Sequence, residues 1–153
     1  MKASSASSHR VTMMAGPAQP FTNVRFRIEI EGLEGSGAYE VMLPQARIDA
    51  APRKTAKVIY GTLILRRGLS RSSAWYDWWQ GGRGARRNVR VVLLDDTGAD
   101  AVAWVMAAAK PVAYHVSRLH ALESEPMIES LELTVGGFAA SFPQARSTGH
   151  KRR

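Results

Sequence analysis

Residues Tyr60–Gly98 read YGTLILRRGLSRSSAWYDWWQGGRGARRNVRVVLLDDTG, and this stretch decides the fold. Leu63-Ile64-Leu65 is a short β-prone run that ends at Arg66-Arg67-Gly68. Trp75, Trp78 and Trp79 follow at i, i+3 and i+4, a spacing that gathers three indoles on one face of a short helix. Ser70 or Ser72 can cap that helix, and Gly81-Gly82 ends it. Val89–Leu94 is then a run of β-branched residues and leucine, closed by the turn residues Asp95-Asp96-Thr97-Gly98. The order is strand, helix, strand, turn, with no catalytic constellation inside it.

Strand signals continue on both sides. Upstream, Phe26, Ile28 and Ile30 alternate with Arg25, Arg27, Glu29 and Glu31, which predicts a strand with one buried and one charged face. Tyr39–Met42 and Ala46–Ile48 read as weak strands broken by Pro44, and Asp49–Lys57 as a loop. Downstream, Ala101–Met106 pairs with Val89–Leu94 as a hairpin. Ala107-Ala108-Ala109 favours a helical extension that Lys110-Pro111 stops. Val112–Leu119 is a further weak strand, Met127–Val135 the last strand, and Phe138–Phe142 a final apolar patch. Roughly six to eight strands and one short helix make an all-β pattern, a sandwich or barrel.

The chain has 153 residues, enough for one domain and one core. Residues 1–20, Ser/Ala-rich and closed by Gly16-Pro17-Ala18-Gln19-Pro20, read as a disordered N-terminal arm. Residues 21–144 form the domain, and 145–153 a basic C-terminal tail. The net charge is +8, but six of those charges lie on the two ends, and residues 21–144 carry 15 Lys and Arg against 13 Asp and Glu. A nearly balanced body weighs against a nucleic-acid-binding β-barrel, the reading that the charge alone suggests. There are no cysteines, which excludes disulfides and thiolate chemistry and fits a reducing cytoplasm. No signal peptide is expected, and the longest nearly apolar stretch, Ala99–Ala109, is too short to span a bilayer.

The search for chemistry is empty. His115 and His120 are five apart, which suits neither a strand face nor a helical metal pair. Asp95 and Asp96 are adjacent and suit a turn better than an acid/base pair. No serine sits in G-x-S-x-G, and Gly81–Gly84 lacks the Lys-Ser/Thr of a P-loop. Neither an enzyme, a cofactor nor a metal is expected. Trp75, Trp78 and Trp79 read as core anchors, with base stacking as the alternative. The loop with Arg83, Arg86 and Arg87 is a solvent-facing connector or an anion or partner contact.

Taken in order, the motifs resemble the tail-tube family of contractile phages and contractile injection systems. FRIEIEGL at Phe26–Leu33 is similar to the family's opening F-R-V-E-I-x-G-L. YGTLILRRG at Tyr60–Gly68 matches Y-G-x-I-T-L-K-R-G, and AWYDWW at Ala74–Trp79 stands where a tryptophan helix follows. RRNVRVVLLDDTG at Arg86–Gly98 and IESLELTVGG at Ile128–Gly137 complete the set. The resemblance implies a β-barrel with one helix, similar to the Hcp tube protein of type VI secretion. It implies six copies in a ring, with rings stacked into a hollow tube inside a contractile sheath. The implied partners are the chain itself, sheath, baseplate and spike proteins, and a protein or DNA cargo in the lumen, without membrane insertion. Assembly in the cytoplasm and residence in a phage tail or tail-like particle follow. Val41–Ile59 is shorter than the family's excursion there, which admits a second role as tube-initiator or cap ring. Arg25, Arg27, Glu29, Glu31, Arg83, Arg86 and Arg87 are the candidates for a lumen or subunit interface.

Overall fold

A computed structural model describes residues 19–34, 37–49, 56–81 and 85–143. Residues 1–18 of the expected 1–20 arm and the whole of the expected 145–153 tail lie outside the described residues. Among the described residues nine strands and one helix follow in order: β1 Phe26–Ile30, β2 Glu40–Met42, β3 Ala46–Asp49, β4 Lys57–Tyr60, β5 Leu63–Gly68, α1 Ala74–Gln80, β6 Arg87–Leu94, β7 Asp100–Val116, β8 Ile128–Thr134 and β9 Gly137–Ser141.

The strand β7 organises the rest. Its first half lies between β6 and β9, and its second half pairs with β8. The register of β8, Lys110 opposite Thr134, continues into β9 as Ala107 opposite Gly137. Strands β8 and β9 therefore follow one edge of β7 as a single bent ladder. This ribbon bends between two sheets, β1-β6-β7-β9 and β7-β8-β5-β2, and the core fills the space between them. Leu63, Leu65, Val89, Met106, Leu131 and Leu133 are fully buried there. The expectation of a barrel or sandwich is met by a folded-over sheet whose ends, β1 and β2, stay open. The β3–β4 hairpin stands apart as its own small sheet, with Ile48 and Val58 exposed.

The bend corrects one expectation. Ala107–Ala109 is strand, not a helical extension, and the two separate strands expected over 101–119 are one. Helix propensity at alanine is worth well under a kilocalorie per residue, and pairing on both edges overrides it. Ala108 adopts φ 54°, and its N–H donates to the Asn88 side chain at 3.1 Å. Gly136 N–H bonds Ala107 C=O across the same corner, where an added Cβ would crowd the Ala108 methyl. Pro111 is tolerated beside the register shift that follows it, where a ladder donor is not required. The final apolar patch is likewise a strand, β9.

Helix α1 begins after Ser73, whose hydroxyl bonds Asp77 at 2.8 Å. The capping position is thus Ser73 rather than Ser70 or Ser72, although the Ser72 hydroxyl accepts from Ala74 N–H at 3.3 Å. Trp75 and Trp78 are buried. Trp79, expected with them as a core anchor, is 37% exposed. Each residue turns about 100°, so Trp79 falls on the Tyr76 flank of the buried stripe and Trp78 on the other. The Trp79 ring instead stacks on Tyr114, at 6.1 Å between centroids.

Candidate functional site

Strand β1 delivers the first group of side chains. The pleat turns Ile28 and Ile30 inward and Arg27 and Glu29 outward. Arg27 Nε donates to Glu29 Oε2 at 2.9 Å, and its Nη1 donates to Asp100 Oδ1 at 3.1 Å. Arg90 Nη1 donates to the other Glu29 oxygen at 3.1 Å. The network spans β1, β6 and β7, and Val92, opposite Arg27 in the β6 register, is fully buried. Hydrogen bonds from Arg27 and then Arg90 hold the Glu29 carboxyl below the usual range, and Arg27 does the same to Asp100. Further along β7 and β9 the same face carries Ala103, Val105, Ala139 and Ser141. It is a neutralised, small-residue surface beside a charge ladder.

The other candidates separate from this ladder. Glu31 lies at the end of β1, where its carboxylate accepts from Asn88 N–H at 2.8 Å. Arg87 Nη1 donates to Glu31 C=O at 2.8 Å, and the guanidinium stands 5.5 Å from the Trp78 ring. Arg87 is therefore a brace between β1 and α1. Gly32 beside it has φ 79°, a left-handed backbone that suits glycine, and a Cβ there would push the Arg87 head aside. Arg25 and Arg86 are exposed and make no ion pair among the described residues. Arg83 lies outside the described residues. Sequence reasoning missed Arg90 and Asp100. Arg90 left a signal as the lone charge inside an apolar run, whereas Asp100 read as part of the turn.

A second cluster is buried. Arg67 Nε donates to Glu129 Oε2 at 2.6 Å, and Tyr114 Oη donates to Glu129 Oε1 at 2.6 Å. The Arg67 guanidinium lies 4.2 Å from the centre of the Trp75 ring. The circuit joins β5, β7, β8 and α1. Burial, then the bond to Glu129, pushes the Tyr114 phenol up to about 12. The unfolded phenol ionises near 10. The neutral phenol's contribution to stability is complete below pH 10 and is lost as pH rises through 12. Ultraviolet titration of the native protein will show one late tyrosine, absent in Tyr114→Phe. If every tyrosine ionises near 10, the assignment is wrong.

Among the described residues no group of three His, Asp or Glu is placed to hold a metal ion, and no helix is long and apolar enough to cross a membrane. The family model for the T4-like virus tail tube protein gp19 matches residues 22–139. The fold is similar to the tube of an extracellular contractile injection system, the PVC sheath–tube complex in the extended state. That match has 14% identity over 86% of this chain and 98% of the other, with a TM-score of 0.65. It is also similar to the tube-terminating cap of the anti-feeding prophage, at 13% identity over 83% and 94%, with a TM-score of 0.65. Hcp1 from Flavobacterium johnsoniae matches at 14% identity over 77% and 95%, with a TM-score of 0.56. No curated protein matches the sequence.

Proposed function

Because the chain belongs to the T4-like virus tail tube protein family, we propose that six copies close into a ring and that rings stack as the inner tube of a contractile tail or injection particle. One observation supports this reading most directly. The sheet β1-β6-β7-β9 has free edges at β1 and β9 and a self-neutralised polar face. Free edges are a hazard in a monomer and an asset in a ring, where each pairs with a neighbour and none is left open. A face whose charges are already paired lets cargo slide past without tight binding. Arg25, Arg27, Glu29 and Glu31 then work at the lumen or the seam between copies, with Arg83 and Arg86 as further contact candidates and Arg87 bracing behind them. Sheath subunits, baseplate and spike proteins are the outer and end partners, and protein or DNA passes inside. The subunits assemble in the cytoplasm, and the ring carries no catalysis. The short Val41–Ile59 excursion leaves open a second place in the same machine, the tube-initiator or cap ring.

Reversing Arg25 and Arg27 to Glu tests the reading. The pairs are solvent-exposed and individually weak, so the monomer stays folded. Repulsion from Glu29 and Asp100, repeated in every copy, shifts the population from rings to monomers. Size-exclusion chromatography with light scattering at matched salt, with circular dichroism as the folding control, measures it. An unchanged ring population with unchanged salt dependence removes this face from the assembly.

A further inference from the structure

On the sheet β7-β8-β5-β2 the pleat turns Leu65, Arg67, Glu129 and Leu131 into the core, and Arg66 and Ser130 to the outside. The register sets Arg66 beside Ser130 on one flank and His115 beside it on the other. Neighbouring strands lie about 4.8 Å apart, so Arg66 and His115 rise from backbones roughly 10 Å apart with only a serine between them. The short serine leaves a hollow of about 250 Å³. Tyr39, Arg66, His115, Ser117, Ile128 and Ser130 line it, and none of these is acidic.

The donors in this hollow are free. Arg66 gives Nη1 to Glu40 at 3.0 Å and keeps its other N–H groups. Among the described residues the Tyr39 and Ser130 hydroxyls and the His115 ring have no partner. Only the Ser117 hydroxyl is taken, accepting from Ile128 N–H at 3.0 Å. A second hollow beyond Ser130 shares Arg66 and His115 but has Glu132 in its wall. An anion is therefore favoured on the Tyr39 side and repelled on the Glu132 side. The planar guanidinium matches a carboxylate, and Tyr39 and Ile128 offer an apolar rim to the methylenes behind it. The core separates this face from the Arg27–Glu29 ladder. With that ladder towards the lumen, the hollow looks outward from the tube, a placement that rests on the ring reading above. We propose that Arg66, Ser130 and His115 form a carboxylate site, filled by an Asp or Glu side chain of a sheath subunit.

The probe is N-acetylglutamic acid α-amide, which carries one side-chain carboxylate, with its glutamine counterpart as the uncharged control. Titrated into the full-length protein at fixed ionic strength, the glutamate compound will shift the Ser130 amide and His115 ring NMR signals and saturate in the millimolar range. The glutamine compound will not. Arg66→Gln will weaken binding by about tenfold or more, and Glu132→Gln will tighten it about twofold, both with unchanged circular dichroism. Lowering the pH from about 8 to about 6 will strengthen binding as the imidazole gains charge, with Tyr39, Glu40, Arg66 and Glu132 the other ionisable groups around it. His115→Gln, which keeps a donor, will abolish that dependence. Equal shifts from both compounds, no saturation, or binding unmoved by Arg66→Gln overturn the site. Saturable binding of inorganic phosphate with none of the glutamate compound makes it a free-anion site and overturns the side-chain assignment. These titrations need no ring, so their failure leaves the ring standing. Rings that carry this hollow on the lumen wall overturn the sheath assignment and leave the site.

Discussion

Trp75→Ala will lower the unfolding free energy by about 3–5 kcal/mol, a large share of the 5–15 kcal/mol typical of a domain. The indole is fully buried at the seat of α1 and carries the Arg67 guanidinium on its face. Removing it opens a cavity that a seven-residue helix cannot close by shifting, because α1 packs on β7 and is tied to the segment just before β6 by the Trp78 indole N–H bond to Ala85 C=O at 2.7 Å. The Trp75 indole N–H itself has no partner among the described residues. Trp75→Phe, which removes that unpaired donor and keeps an aromatic face, will therefore cost far less than Trp75→Ala. Trp79→Ala, on the exposed flank, will cost about 1 kcal/mol, the scale of an aromatic pair at a surface. Urea midpoints for the three variants check the ordering. Equal losses at positions 75 and 79 would place Trp79 in the core after all.

Glu129→Ala will be of similar size, about 3–5 kcal/mol, for an electrostatic reason. It leaves Arg67 buried against an indole with its carboxylate gone, and the Tyr114 hydroxyl loses its acceptor in the same step. Arg67→Met with Glu129→Leu removes both charges and keeps apolar volume. That double variant will recover most of the loss, because the cost lies in the stranded charge more than in the missing bond. A double-mutant cycle on urea midpoints measures the coupling. If the double variant is as unstable as the sum of its single changes, the two residues act independently.

The parts of the fold that the sequence made legible are those written in local alternation. Ile28 and Ile30 against Arg27 and Glu29 gave β1, and Leu131 and Leu133 against Glu132 gave β8. Asp95 gave its turn, because its carboxylate accepts from Thr97 and Ala99 N–H as an Asx residue does. The course of β7 through Ala107–Pro111 was not legible. Small residues and a proline carry no strand period, and the pairing that holds them comes from β6, β8 and Gly137 of β9, about 20 residues or more away in sequence. Half of the surface ladder was visible, as Arg27 and Glu29. Its other half, Arg90 and Asp100, required the register. The Arg67–Glu129 pair lay beyond sequence reading, since 62 residues separate its members and neither neighbourhood marks them as buried.

The shared strand β7 also has a consequence for how the chain is made. Strand β1 waits for β6, β5 waits for β8, and the first half of β7 gains its second neighbour only from β9. Among the described strands β8 and β9 come last in chain order, so the sheet β7-β8-β5-β2 lacks a neighbour until β8 emerges and the sheet β1-β6-β7-β9 until β9 does. Every nascent chain passes through an interval with unpaired edges while other copies of itself are being translated nearby. Local hairpins shelter part of that surface: β3 with β4, and the first half of β7 with β6, can close as soon as they emerge. A cell that overproduces this subunit meets its aggregation hazard in that interval, before any tube has begun to grow.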